Sequence, residues 1–161
     1  MTAETSNAKQ VYFEAYSHLS LLENVLKNIK EEDLANFQIS IVGKVSKFYL
    51  DKDMAVPKDT EAIKLYWEKT FNSSIAYGSL NNPQFENIFI VGTLASSFLY
   101  DIDGKPLGML SAGPYGILRG IGGSEIQVTA YLKMLEKNYY LLIFRGSEAD
   151  LENYKRLLGE I

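Results

Sequence analysis

The sequence predicts a single α+β domain spanning residues 1–161, a ferredoxin-like βαββαβ sandwich with a helical insertion and an extra C-terminal helix. Three observations carry that expectation. A strand-helix-strand order occurs twice along the chain. The run "YYLLIF" (139–144) is apolar and aromatic throughout, as a strand buried on both faces requires. The segment after Ser147 has helical spacing that would pack it back onto such a sheet. A length of 161 residues, 47% of them hydrophobic and 22% charged, suits one soluble domain with a sizeable core.

Residues 1–10 are polar and read as a flexible tail, and "VYFEAY" (11–16) is rich in β-formers. "SLLENVLKNI" (20–29) places Leu21, Leu22, Val25, Leu26 and Ile29 at helical spacing, with Ser20 and Glu23 as a capping box and "EEDLAN" closing the unit. "FQISIVGKV" (37–45) opens with the alternation of a half-buried strand. From 46 to 83 the pattern is irregular and reads as an insertion with one helix, in which Ala62, Ile63, Tyr66, Trp67 and Phe71 share a face.

The stretch 86–110 is β-rich, and Asp103-Gly104 between apolar alternations signals a hairpin turn because glycine accepts positive φ. A helix is expected from Ser124 to about Lys137, with Ile126, Ala130, Tyr131, Met134 and Leu135 facing a core and Asn138 as its stop. "YYLLIF" should then be the middle of the sheet. Ser147 and Asp150 cap a last helix that presents Leu151, Tyr154, Leu157, Leu158 and Ile161 inward.

Composition excludes several chemistries. Sixteen basic against twenty acidic residues give a net charge of −4, so nothing draws the chain to nucleic acid or an anionic membrane. Without cysteine there is no disulfide, thiolate metal site or cysteine nucleophile. "MTAETSNAKQ" has no basic n-region or apolar h-region, which removes a signal peptide and makes the cytoplasm the expected location. The apolar runs 87–100 and 106–118 are each too short to span a bilayer.

"GILRGIGGSEIQ" (116–127) is the segment with the most functional content. It fails the dinucleotide fingerprint, since Glu125 stands where the last glycine should, and it lacks the Lys-Ser/Thr pair of a phosphate loop. Ser124 with Gln127 forms a capping box, so Gly122 and Gly123 most simply turn the chain into a helix. The alternative is an anion site at the helix N-terminus beside Arg119, with Tyr115 and Tyr131 as aromatic walls.

His18 is the only histidine, and no G-x-S-x-G elbow exists to partner it, so serine hydrolase chemistry is not expected. Zinc would need more ligands than this chain has. Asp101 and Asp103 read as a solvated hairpin tip rather than a cation loop, and Glu31, Glu32 and Asp33 as a polar helix end. Tyr66, Tyr131 and Tyr154 belong on buried helix faces.

"GPYGILRGIGGSEIQVTAYLKMLEKNYYLLIFRG" resembles the bacterial heat-induced general-stress-protein family and related domains of unknown function, through Gly116, Gly120, Glu125, Tyr131 and "YLLIF". "AYSHLSLLENVLKNIK" and "FQISIVG" look like the strand-helix-strand that starts such domains. The resemblance implies a small, oligomeric, stress-associated α/β protein and transfers no active site. The expectation is therefore a non-enzymatic regulatory protein, a homo-oligomer without metal or cofactor that self-associates through a sheet face or edge. The competing expectation is a protein or cofactor-dependent enzyme that binds a small anionic ligand at Arg119, Gly122, Gly123, Ser124, Tyr115 and Tyr131.

Overall fold

The computed structural model describes residues 9–29, 38–57 and 61–157. The tail up to residue 8, the acidic Glu31–Asp33 group, Leu158 and Ile161 lie outside the described residues. Seven strands are described: β1 (Gln10–Tyr16), β2 (Gln38–Lys44), β3 (Tyr77–Asn82), β4 (Glu86–Gly92), β5 (Asp101–Ile102), β6 (Lys105–Pro106) and β7 (Tyr140–Gly146). The helices are α1 (Leu19–Leu26), α2 (Val45–Asp51), α3 (Glu61–Phe71), α4 (Ala95–Leu99), α5 (Gly113–Gly120), α6 (Glu125–Glu136) and α7 (Glu148–Leu157).

The main sheet has the order β1-β7-β2-β4-β3 and is antiparallel throughout. Strand β7 separates β1 from β2, and β2 separates β7 from β4, so two split strand-helix-strand units interlock. The architecture is the expected α+β one, ferredoxin-like with helical insertions and an added C-terminal helix. Strand β7 is interior as its apolar run requires, but β2 is the central strand, because the insertion supplies β3 as an extra edge beyond β4.

Period-2 alternation divides the sheet residues between two cores. Ile41, Phe89, Leu142 and Phe144 pack with Leu22, Phe48, Trp67 and Tyr154 of α1, α2, α3 and α7. Val42, Ile90, Leu141 and Ile143 pack on the other face with Phe98, Leu118 and Val128 of α4, α5 and α6. Both faces are thus covered by the chain's own helices.

Local chemistry explains where expectation and structure part. The N-cap of α1 is His18, whose Nδ1 accepts the Ser20 N–H at 3.0 Å, while Glu23 is taken by the Tyr66 hydroxyl. Ser20 therefore caps nothing. The insertion holds two helices and an edge strand, not one helix: Val45, Phe48 and Tyr49 have the i, i+3, i+4 spacing that turns the end of β2 directly into α2. Residues 95–99, expected as strand, form α4, and the glycines at 113, 116 and 120 sit inside α5. On α6 the buried face is Val128, Leu132 and Leu135, whereas Ile126 is 83% exposed and Ala130 also faces solvent.

Other local signals hold. Asp103 and Gly104 both have positive φ, 51° and 84°, at the tip of the β5–β6 hairpin. Asp101 accepts the Gly104 N–H at 3.2 Å in that tip. Asn138, at φ 74°, ends α6 with Tyr139 N–H donating to Met134 and Asn138 N–H to Leu135, a Schellman closure. Ser147 and Asp150 exchange hydrogen bonds of 3.2 Å each at the start of α7.

Candidate functional site

The glycine-rich turn links α5 to α6 by close packing. Gly122 has φ 117°, a conformation that favours glycine, and Gly123 is buried where a β-carbon would stand 2.7 Å from Val128 Cγ2. Ser124 Oγ accepts the Gln127 N–H and the Gln127 side chain accepts the Ser124 N–H, both at 3.1 Å. These bonds occupy donors that an anion would need, and Glu125 adds negative charge to the first turn.

Arg119 lies at the other end of the turn, in the last turn of α5, and donates to Tyr115 Oη at 3.2 Å. Tyr131 stacks on Phe13, with centroids 5.2 Å apart, against the sheet. Tyr115 lines a cavity of about 190 Å³ with Lys133 and Glu136, and none of the other five predicted residues lines it. The structure therefore pairs Arg119 with Tyr115, and of the six only Tyr115 lines this cavity.

A different cation faces a cavity. The β2–β7 register sets Gln38 opposite Arg145 and Ser40 opposite Ile143, which places all four at one end of the sheet on the face of α5 and α6. Beyond Gly92, at φ 100°, the chain folds back over this end, with Thr93 N–H donating to Ile39 at 3.3 Å. A β-carbon at position 92 would collide with the Ile39 carbonyl oxygen, so the crossing needs glycine. Ser40 Oγ accepts the Leu94 N–H at 2.9 Å and lies 3.1 Å from Thr93 Oγ1, which pins the loop.

The space, open to solvent on one side, is about 210 Å³ and is lined by the polar residues Gln38, Ser40, Thr93, Ser97 and Arg145. Leu94, Ile143 and Ile121, the last from the glycine-rich turn, complete its wall. Arg145 Nε is buried and has no hydrogen-bond partner among the described residues. Of the Ser40 and Thr93 hydroxyls, one proton joins the two oxygens, whichever donates, and the second remains free to donate. Among the described residues, Arg145 is the only charged one in the lining. The polar lining among the described residues is thus one cation beside neutral hydroxyl and amide groups.

Sequence reasoning missed this group although one signal existed. Continuing the alternation of Leu141 and Ile143 puts Arg145 on the same inward face, an unusual position for a cation. Ser40, Thr93 and Ser97 carried no signal, because their convergence depends on strand order.

A second polar cluster joins α1, α2 and β7. Asp51, its side chain 3% exposed, accepts from Leu19 N–H at 3.0 Å and Tyr140 Oη at 2.8 Å, with Lys47 Nζ at 2.9 Å and His18 Nε2 at 3.5 Å. Burial alone would raise the Asp51 carboxyl. Hydrogen bonds from Lys47, Tyr140 and Leu19, with the Lys47 charge, outweigh it and hold the carboxyl below its ordinary range. Burial first, then the bond to Asp51 and its charge, push the Tyr140 hydroxyl far above the ordinary phenol range. Ser20 Oγ lies 2.9 Å from His18 Nδ1, but that ring nitrogen already takes the Ser20 N–H. The cluster is a capping and cross-bracing node rather than a nucleophile–base pair.

Among the described residues there is no group of three metal-ligating side chains, and no helix is long and apolar enough to cross a membrane. Comparison with protein-family models, curated proteins and solved structures finds no match to this chain.

Proposed function

We propose that this chain is a non-enzymatic binding protein that holds a small anionic ligand against Arg145. The carrying observation is a cavity in which Arg145 is the one charged residue among described lining residues that include Gln38, Ser40, Thr93 and Ser97. Among the described residues no imidazole or carboxylate lines the cavity to take a proton from Ser40, Thr93 or Ser97, which favours binding over hydroxyl-based catalysis.

A regulatory, stress-associated and self-associating role is the setting in which we place this binding. With the sheet faces covered, self-association would use an edge strand, β1 or β3. Native mass spectrometry at micromolar concentration tests that part, and a strictly monomeric spectrum would remove it.

The binding itself is tested by thermal unfolding with acetate, sulfate and phosphate at constant ionic strength. At least one anion should raise the midpoint of the native sequence and leave Arg145→Gln unmoved. If none stabilises the native sequence, the reading fails.

A further inference from the structure

We infer that β1 is the self-association surface and that its occupant is β1 of a second copy of this chain, paired antiparallel about a two-fold axis at Phe13. The inference rests on the self-association part of the reading above. Among the described residues nothing pairs with β1 beyond β7 or with β3 beyond β4. The two edges differ in the side chains they leave uncovered. On β3 the exposed positions are Ser79 and Asn81, and Tyr77 is its one partly buried aromatic or aliphatic residue, so a further strand would cover little apolar surface there. On β1, Val11 and Ala15 on one face and Tyr12 and Tyr16 on the other are only partly buried against the two cores. A strand laid beyond β1 continues both cores over these residues and removes apolar surface from water on two faces at once.

A second copy fits because the strand is complementary to itself. Antiparallel neighbours of the same sequence are related by a two-fold axis normal to the sheet, so opposing residues share a face and the axis passes at a residue position. Placed at Phe13, the middle of Gln10–Tyr16, it pairs all seven residues. Val11 then opposes Ala15, large against small, and Tyr12 opposes Glu14. Within one strand Tyr12 Oη donates to Glu14 Oε2 at 3.1 Å, and Lys155 Nζ of α7 lies 4.9 Å from the Tyr12 ring centroid. The second copy's carboxylate therefore meets a phenol and an ammonium. Any other axis position shortens the pairing, and one at Glu14 also sets two carboxylates opposite each other.

The flanking helices fit the same arrangement. Both α6 and α7 pack on β1 and β7, so their counterparts in the second copy lie two strand spacings away, about 10 Å, the distance between packed helices. Two five-stranded sheets become one of ten strands with helices along both faces.

The chain has no cysteine, so a nitroxide attached through Gln10→Cys, at an exposed position, reports one distance per dimer. Sedimentation velocity of the full chain at micromolar concentration should show a dimer. Pulsed electron resonance should place the two labels roughly 20 Å apart, six residues along the paired strands. Val11→Lys, which puts a charge on the partly buried edge, should weaken dimerisation about tenfold or more. The label distance decides alone if that variant does not fold. A dimer with labels roughly 40 Å apart, the nine strand spacings of a β3–β3 contact, overturns the β1 assignment and leaves self-association standing. A folded Val11→Lys protein that dimerises as tightly as the native sequence does the same. A strictly monomeric native sequence overturns both.

Discussion

Tyr140, the first residue of β7, donates its hydroxyl to Asp51 Oδ2, 2.8 Å away at the end of α2. The same carboxylate accepts the first backbone N–H of α1 from Leu19 and is paired with Lys47. Three elements distant in sequence therefore meet on one buried anion. Asp51→Ala leaves Tyr140 and Leu19 donors without their acceptor and should cost about 3 kcal/mol. Tyr140→Phe leaves Asp51 with its other partners and should cost about 1 kcal/mol. Urea unfolding followed by fluorescence of the buried Trp67 measures both, and equal costs would show that Asp51 is no hub.

The same pair sets a pH window. Asp51 has a folded pKa below its ordinary 3.8, so its contribution is present above that value and is lost as pH falls through the lowered one. Tyr140 has a folded pKa raised above 10.0, so its contribution is present below 10.0 and is lost as pH rises toward the raised value. The urea midpoint should be flat from about pH 5 to 9 and fall on both sides. Tyr140→Phe should flatten the alkaline fall and keep the acid one. An unchanged alkaline limb in that variant would separate Tyr140 from the effect.

Glycines divide by what surrounds them. Gly92 combines φ 100° with a β-carbon position occupied by the Ile39 carbonyl, so Gly92→Ala should cost about 3 kcal/mol or more and open the Arg145 cavity. Gly116 lies inside α5 with nothing within 4 Å of its β-carbon position, so Gly116→Ala should gain about 0.5–1 kcal/mol. Thermal midpoints should move by several degrees in opposite directions. A destabilised Gly116→Ala would mean that α5 needs its glycine for a contact not seen in the structure.

Local signals were legible in the sequence, and relations set by strand order were not. The Asp103-Gly104 turn, the Ser124–Gln127 box and the Asn138 stop each depend on neighbours within a few residues, and each forms. The Ser20–Glu23 box failed because Asp51, 32 positions from Leu19, and Tyr66 offered competing partners. Helix α5 was hidden by three glycines of low propensity, outweighed by burial of Ile117 and Leu118. The Arg145 cavity needs Ser40, Thr93 and Arg145 brought together by β2–β7 and β2–β4 pairing, which no local pattern encodes.

The rotation of α6 gives a direct check on one such difference. Val128→Ala, at a fully buried site, should cost about 1–3 kcal/mol, and Ile126→Ala, on the solvent face, less than about 0.5 kcal/mol. Ranked the other way by urea denaturation, the two variants would restore the face that helical spacing alone predicts.

Arg145 carries the prediction that separates a binding residue from a structural one. Its buried Nε has no partner among the described residues, so that donor is a cost to folding. Arg145→Met keeps much of the aliphatic volume, removes the charge and leaves no new polar group unpaired. The ligand-free variant should therefore be as stable as the native sequence or more stable by about 1 kcal/mol, while losing all stabilisation by added anions. Arg119→Ala, at an exposed helix position whose side chain meets Tyr115, should leave both stability and anion response unchanged. Differential scanning calorimetry of the three proteins with and without anion reads both effects. A ligand-free Arg145→Met destabilised by 1 kcal/mol or more would instead assign the guanidinium to holding the sheet end and the Gly92 crossing together.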